Sequence, residues 1–147
     1  MKNAEEFDRI DVAMDVVRQD DEYLVLRKSK EYRENRERYR RNAWEIPGGK
    51  VGDELDDEET RDAALRELRE ETGLEGEALR VGKPYERVQE ETEITFHPVL
   101  LRVEEREVEL SGEHDGYEWV DAESFPEYAT EHEMEAFNRV ATEEVSV

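Results

Sequence analysis

The segment DAALRELREETGL, residues 62–74, has the apolar spacing of an amphipathic helix that ends at Gly73. Glu67, Glu70 and Glu71 fall in its last two turns, although the carboxyl end of a helix carries partial negative charge and favours cations. Each acid at that end costs roughly a few tenths of a kcal/mol. Because residues that break a rule of local stability are often functional, these glutamates indicate a site.

The three glutamates are separated by three and four residues, so they project from one side of the helix. Leu65 and Leu68 project from a different side, which can pack against a sheet. Carboxylates held close together repel one another unless a cation lies among them. Oxygen ligands without histidine or cysteine suit Mg²⁺, with Mn²⁺ as a substitute. The helix is therefore predicted to carry a divalent-metal site.

A wider pattern separates this prediction from its alternative, an ordinary solvated acidic face. Residues 52–74 have the spacing G-x5-E-x7-R-E-U-x-E-E-x-G-U, where U is aliphatic. The matched positions are Gly52, Glu58, Arg66, Glu67, Leu68, Glu70, Glu71, Gly73 and Leu74. This pattern resembles the Nudix box, and the segments WEIPGG (44–49) and YEWVD (117–121) also resemble features of that family. The chain is accordingly similar to MutT-like Nudix hydrolases, as a single domain over residues 1–147.

The resemblance implies an α/β fold, the Nudix-type α/β/α sandwich with a mixed β-sheet. It also implies that Glu67, Glu70 and Glu71 bind Mg²⁺ along a pyrophosphate. Arg66 would fix a carboxylate by a charge-assisted hydrogen bond, and Glu58 would be a supporting metal ligand.

Two glycines of this chain can correspond to the glycine that begins the Nudix box. In many family members the box glycine is the second of a Gly-Gly pair, here Gly49, which stands three residues before Gly52. Either Gly52 or Gly49 would therefore offer its backbone carbonyl to the metal.

A further acidic ligand or catalytic base from a later loop is also implied. In LSGEHDGYEWV, residues 110–120, Glu113 stands on a glycine-flanked loop and is the residue expected in that role. Glu118 and Asp115 are weaker substitutes. The alternative is that Glu113 is an ordinary surface glutamate in a chain that has many.

Residues 27–41, RKSKEYRENRERYRR, hold eight of the 21 lysines and arginines of the chain. Such a basic segment can draw polyphosphate to a surface that would otherwise repel it, with Arg40 and Arg41 as contacts. Tyr39 can stack a base. The alternative is a short surface helix or hairpin with ion pairs four residues apart.

Periodicity predicts the remaining elements. The expected strands are 10–17 and 22–28 as a hairpin, a short strand at 44–46 that ends in a Pro-Gly-Gly turn, and strands at 79–89, 92–104 and 117–120. The expected helices are 57–72, capped by Asp56 or Asp57, and 131–141.

Composition limits the function classes. The chain has 147 residues, no cysteine and a net charge of −22, which disfavours nonspecific binding to nucleic acid or to an anionic membrane. No segment has the length of a membrane span, so we expect a cytoplasmic protein. Five lysines against 16 arginines and abundant acids are typical of a salt-loaded cytoplasm, which indicates a halophilic source.

Together these features predict a Mg²⁺-dependent pyrophosphohydrolase that cleaves a nucleoside diphosphate linked to another moiety. Nucleoside triphosphates and dinucleoside polyphosphates are the leading substrate classes. The alternatives are an ADP-ribose-type pyrophosphatase and a non-catalytic nucleotide-binding module on the same fold. Because family members are often dimers, the resemblance also suggests a homodimer.

The net charge generates a first test. Since the Debye length is about 3 Å in molar salt, self-repulsion should be largely screened there. We expect the thermal midpoint of unfolding to rise between dilute buffer and molar potassium chloride at constant pH. Equal stability in the two solutions would contradict a halophilic source.

Overall fold

The computed structural model describes residues 7–52 and 59–141. The strands are β1 Asp8–Gln19, β2 Glu22–Lys28, β3 Trp44–Glu45, β4 Gly48–Lys50, β5 Gly76–Val81, β6 Tyr85–Gln89, β7 Thr92–Val103 and β8 His114–Asp121. The helices are α1 Lys30–Asn35, α2 Glu37–Arg41, α3 Thr60–Thr72 and α4 Glu131–Val140, with a 3-10 turn at Phe125–Glu127. Within these described ranges no helix is long and apolar enough to cross a membrane.

All the strands belong to one mixed sheet, whose central order is β3-β2-β1-β7-β5. β1 and β7 run parallel over nearly their whole length, from the pair Asp8 and Thr92 to the pair Arg18 and Arg102. The other pairings are antiparallel, with β8 added to β2, β4 to β1 and β6 to β7. The parallel pair of β1 and β7 is therefore the centre of the sheet, and the other strands are added on its two sides.

Each face of the sheet is covered by a helix, as alternation along the strands requires. On one face, Val17 of β1 and Leu101 of β7 pack with Leu68 of α3. On the other face, Val16 and Leu100 pack with Phe137 of α4. The predicted α/β/α sandwich with a mixed sheet is confirmed, and each helix lies on the face to which its apolar side points.

Between α3 and β7, the predicted strand differs from the structure. The single strand expected at 79–89 is divided into β5 and β6, which pair with the two halves of β7. Pro84 has no N–H to donate to a ladder, and Gly82 lies so close to Val140 that a Cβ would be 2.7 Å from its Cγ1. The chain therefore bends between the two strands.

The segment around α3 also differs. The helix begins at Thr60 rather than at residue 57, because Glu59 has extended backbone angles, while Asp56 and Asp57 lie outside the described residues. The expected Pro-Gly-Gly turn instead leads into β4, which pairs with Val12 to Met14 of β1. This pairing brings the glycines of the segment underneath α3.

The end of α3 provides a stability test. Gly73 has φ +74°, in the left-handed region, and its N–H bonds to the carbonyl of Arg69. We expect Gly73→Ala to lower the free energy of unfolding by about 1–2 kcal/mol, since a side chain is strained at this angle. Urea unfolding followed by circular dichroism measures the change. Gly112→Ala is the control, because a Cβ there meets nothing within 4 Å, and equal stability of the two variants would contradict the expectation.

Candidate active site

Helix α3 buries its apolar side and presents its glutamates to a cleft. Ala64 and Leu68 are fully buried against the sheet. Glu67 and Glu71 are each only 8% exposed although glutamate is usually a surface residue, whereas the side chain of Glu70 is 48% exposed. All three line the same cleft. The structure thus brings together the carboxylates that the helical spacing placed on one side.

Arg66 connects two of these glutamates to the neighbouring strand. Its Nη1 donates to Glu67 Oε2 at 2.9 Å and to Glu70 Oε1 at 3.3 Å, and its Nη2 donates to the carbonyl of Lys50 at 3.0 Å. The Arg66 side chain is only 12% exposed, so these charge-assisted bonds are well shielded from water. Glu58, the expected supporting ligand, lies outside the described residues.

The glycines of β4 make room for this arrangement. A Cβ on Gly49 would lie 2.4 Å from the Glu67 carboxylate, and a Cβ on Gly48 would lie 2.2 Å from the carbonyl oxygen of Ala13. Both glycines line the cleft. Gly52 has φ +80° in the following turn and is not among the described residues that line the cleft. Of the two glycines considered from the sequence, the structure places Gly49 beside the glutamates.

The cleft in front of α3 has a volume of about 480 Å³ and extends from β1 and β4 to the start of α4. An adjoining cavity of about 440 Å³ lies toward α1 and the loop before β8. Both are lined by Glu67, Glu70, Glu71 and Glu113. A substrate with two arms can therefore reach the same carboxylates from either cavity.

The loop before β8 carries Glu113 into this site. The Glu113 carbonyl accepts a hydrogen bond from the Ser29 N–H at 2.9 Å, and the Glu113 N–H donates to Ser111 Oγ at 3.4 Å. Asp115 instead forms ion pairs with basic side chains of the 27–41 segment, and neither it nor Glu118 lines the cleft. Glu113 is thus the acid of this loop that joins the glutamates of α3.

The electrostatics of Glu71 reflect this crowding. Burial raises the pKa of Glu71 well above its ordinary value, and the charge of Asp15 is the next largest cause. Glu67, Glu45 and Glu113 raise it further. Within residues 7–52 and 59–141, no three acidic or histidine side chains are already gathered around one point.

A second cluster, centred on Glu45, forms another wall of the cleft. Glu45 Oε2 lies 2.8 Å from His114 Nε2 and 3.3 Å from Lys28 Nζ, while Tyr39 donates its hydroxyl to Oε1 at 3.1 Å. Burial alone would raise the pKa of Glu45. The hydrogen bond from His114 and the charges of Lys28, His114 and Arg38 outweigh burial, so the pKa is lowered. Sequence reasoning missed this residue, although it stands inside the WEIPGG segment.

The basic segment forms the short helices α1 and α2 beside this wall. Arg38 lines the cleft, with its side chain half exposed and 3.9 Å from Glu45. Arg40, Arg41 and Tyr39, the predicted substrate contacts, are not among the described lining residues. Arg41 pairs with Glu37 at 3.5 Å, one of the ion pairs that the surface-helix alternative requires. Arg38 is therefore the arginine of α2 that faces the site.

A side pocket of about 310 Å³ opens next to the cleft and shares His132, Phe96 and Arg38 with it. The His132 ring lies edge-on to Phe96, with centroids 3.9 Å apart. Burial, followed by the positive charges of Arg38 and Arg87, lowers the pKa of His132 to about 4, so the imidazole is neutral near pH 7. No sequence signal indicated this histidine, because its partners come from distant strands.

Comparisons with known proteins agree with this fold. The family model described as NUDIX domain matches residues 9–144. The chain is 26% identical to a MutT protein from Methanosarcina mazei Go1, with 91% of this chain and 94% of that one covered and a TM-score of 0.68. The E. coli ORF135 protein is 21% identical, with coverages of 95% and 94% and a TM-score of 0.71. A C. elegans Ap4A hydrolase is 20% identical, with coverages of 90% and 95% and a TM-score of 0.68.

A search of curated protein sequences finds no match. The two structures below 25% identity show only that the fold is shared. The NUDIX model, by contrast, spans nearly the whole chain and includes α3 with its three glutamates, Arg66 and the Gly48–Gly49 pair. The chain therefore belongs to the NUDIX family of hydrolases, which act on phosphoric anhydride bonds.

Proposed function

We propose that this protein hydrolyses a nucleoside diphosphate linked to another moiety, with nucleoside triphosphates or dinucleoside polyphosphates as its substrates. One observation supports this most strongly. Glu67, Glu70, Glu71 and Glu113 line a single cleft that continues into the side pocket beside His132. Such a site can hold the phosphate chain at the carboxylates and a nucleoside beside them. The Ap4A hydrolase with the same fold carries a name that favours the second of these substrate classes.

The residues present fit a divalent cation. Carboxylate oxygens are hard ligands that suit Mg²⁺, with Mn²⁺ as a substitute, and Gly49 leaves space beside the Glu67 carboxylate. Glu67, Glu70 and Glu71 would hold the ion, with Glu113 as a further ligand. When bound, the cation neutralises phosphate charge and lowers the pKa of an attacking water. NUDIX hydrolases generally use divalent metals, and the Mg²⁺ preference is part of this proposal.

The chain supplies the groups that orient the reaction and receive its proton. Arg66 holds Glu67 in place through its 2.9 Å bond, which leaves less freedom to be lost when the substrate binds. Glu70 and Glu113 are the less buried carboxylates of the cleft, so they can accept the proton of a water that attacks phosphorus. The bond between that phosphorus and its bridging oxygen breaks, and two phosphate-containing fragments leave.

Positive charge accessible in the cleft comes from Arg38 and Lys50, because Lys28 is buried and paired with Glu45. Arg38 is half exposed, so it can turn toward a phosphate oxygen. Arg40 and Arg41 lie farther out on the same helix and add long-range attraction for polyphosphate. The neutral His132 and Phe96 give the side pocket the apolar and aromatic character that suits a nucleobase.

The first test is hydrolysis of a substrate panel in molar potassium chloride, with and without Mg²⁺. The panel holds nucleoside triphosphates, diadenosine polyphosphates, ADP-ribose and NADH. We expect Mg²⁺-dependent cleavage of one class, lowered about 10²–10⁴-fold in kcat by Glu71→Gln, since this change removes a buried carboxylate from the centre of the cleft. Glu75→Gln is the control, because it removes the same charge from an exposed position just after α3.

Each other outcome of the panel has a definite meaning. Cleavage of ADP-ribose alone would favour the ADP-ribose-type alternative. A folded wild type that binds Mg²⁺ and nucleotide but turns over no member of the panel would favour a nucleotide-binding module. Equal activity of Glu71→Gln and Glu75→Gln would show that the Glu71 carboxylate has no role in the mechanism.

The role of the basic helix is tested by charge reversal. We expect Arg38→Glu to raise KM about tenfold or more with little change in kcat, because a charge-assisted contact with the phosphate chain is lost and replaced by repulsion. Arg40→Glu and Arg41→Glu carry the same charge change on the same helix and should raise KM less. Steady-state kinetics on the substrate found by the panel give both constants. Equal KM values for all three variants and wild type would show that these arginines of α2 have no role in substrate binding.

A further inference from the structure

Asp15 is a buried acid that the proposed mechanism has not used. It lies in the middle of β1, between Ala13 and Val17, on the face that packs against α3. Its exposure is 0%, and neither carboxylate oxygen has a hydrogen-bond partner among the residues that the structure describes. A buried carboxylate without partners is strongly destabilising, so a sheet core would gain stability from an apolar residue here.

The groups that face Asp15 belong to the candidate active site. The Asp15 N–H donates to the carbonyl of Pro47 at 2.9 Å, which ties this point of β1 to the segment that leads into β4. Asp15 is the largest charged contribution to the raised pKa of Glu71. Burial, followed by the charge of Glu67, raises the pKa of Asp15 itself, against the opposing charge of Arg66. The geometry agrees, because the neighbouring residues Ala13 and Met14 pair with Gly49 and Gly48, and a Cβ on Gly49 would lie 2.4 Å from the Glu67 carboxylate. Asp15 therefore lies beneath the buried glutamates and is not among the described residues that line the cleft.

We propose that Asp15 is a positioning residue of the cation site, whose negative charge beneath Glu67 and Glu71 strengthens the binding of a divalent cation by these glutamates. The inference rests on the proposed function, because it assigns Asp15 to the same site. Like charges in a poorly hydrated interior repel strongly, and a doubly charged cation between them relieves that repulsion. The acid that destabilises the protein without a cation would thus make cation binding more favourable.

The test measures cation binding directly, in molar potassium chloride. Free Mn²⁺ is followed by electron paramagnetic resonance as protein is titrated, and the thermal midpoint is measured with and without Mn²⁺. The variants are Asp15→Asn, which keeps the shape of the side chain, and Asp15→Val, which matches its apolar neighbours. Asp11→Asn is the matched control, since it removes one charge from the same strand at a side chain that is 58% exposed.

We expect the Mn²⁺ Kd to rise about tenfold in both Asp15 variants and to stay unchanged in Asp11→Asn. Without Mn²⁺ the midpoints of the Asp15 variants should rise, whereas the increase in midpoint that Mn²⁺ produces should shrink. A merely structural role for Asp15 would alter the first midpoint but would not alter the Kd.

Three results would overturn the role of Asp15, the cation site or the proposed function. If both Asp15 variants bind Mn²⁺ within twofold of Asp11→Asn, Asp15 has no role in the cation site. If the wild type binds no Mn²⁺, the cation site itself and the role of Asp15 both fail. If the wild type binds Mn²⁺, Asp15→Asn weakens that binding, and no nucleotide is cleaved, the proposed function fails while the role of Asp15 stands.

Discussion

The active-site cleft depends on holding the α3 carboxylates close together against their mutual repulsion. Several contacts offset part of that repulsion. Glu67 and Glu71 are nearly buried in a chain whose net charge is already −22, so each is desolvated as well as crowded. Arg66 neutralises part of this charge and anchors the helix to β4. The packing of Leu68 against the sheet holds α3 where these acids must face one another. Stability provided by the core thus keeps together groups that would otherwise separate.

The same constraint explains how the opposite wall is built. A strongly acidic protein has to offer positive charge to a polyphosphate, yet an isolated cation beside so many acids would be drawn to the nearest carboxylate. Glu45 contacts Lys28 at 3.3 Å and His114 at 2.8 Å, so both side chains have a close partner. Arg38 lies 3.9 Å from Glu45 and stays half exposed. One side of the cleft therefore consists of acids held in place by Arg66. The other side, around Glu45, combines acidic and basic residues and keeps Arg38 accessible.

Local patterns in the sequence predict the helix, its end at Gly73 and the set of α3 glutamates, because these depend on neighbours within a few residues. The α/β/α sandwich is implied by the resemblance to the Nudix family, since its sheet pairs strands that are far apart in the chain. The rest depends on contacts between distant segments. Arg38 rather than Arg40 or Arg41 faces the cleft because of where α2 meets Glu45, which no spacing within α2 reveals. Asp15 looks like a surface position of a strand until β1 is placed in the centre of the sheet.

The parallel pairing of β1 with β7 joins the beginning of the domain to a strand far along the chain. Short-range contacts cannot close such a pair, so the entropy of closing a long loop must be overcome before the central sheet gains its hydrogen bonds. β1 supports β4 and packs under α3, and β7 completes the floor beneath that helix. A chain emerging from the ribosome therefore cannot assemble its cleft until β7 has been synthesised.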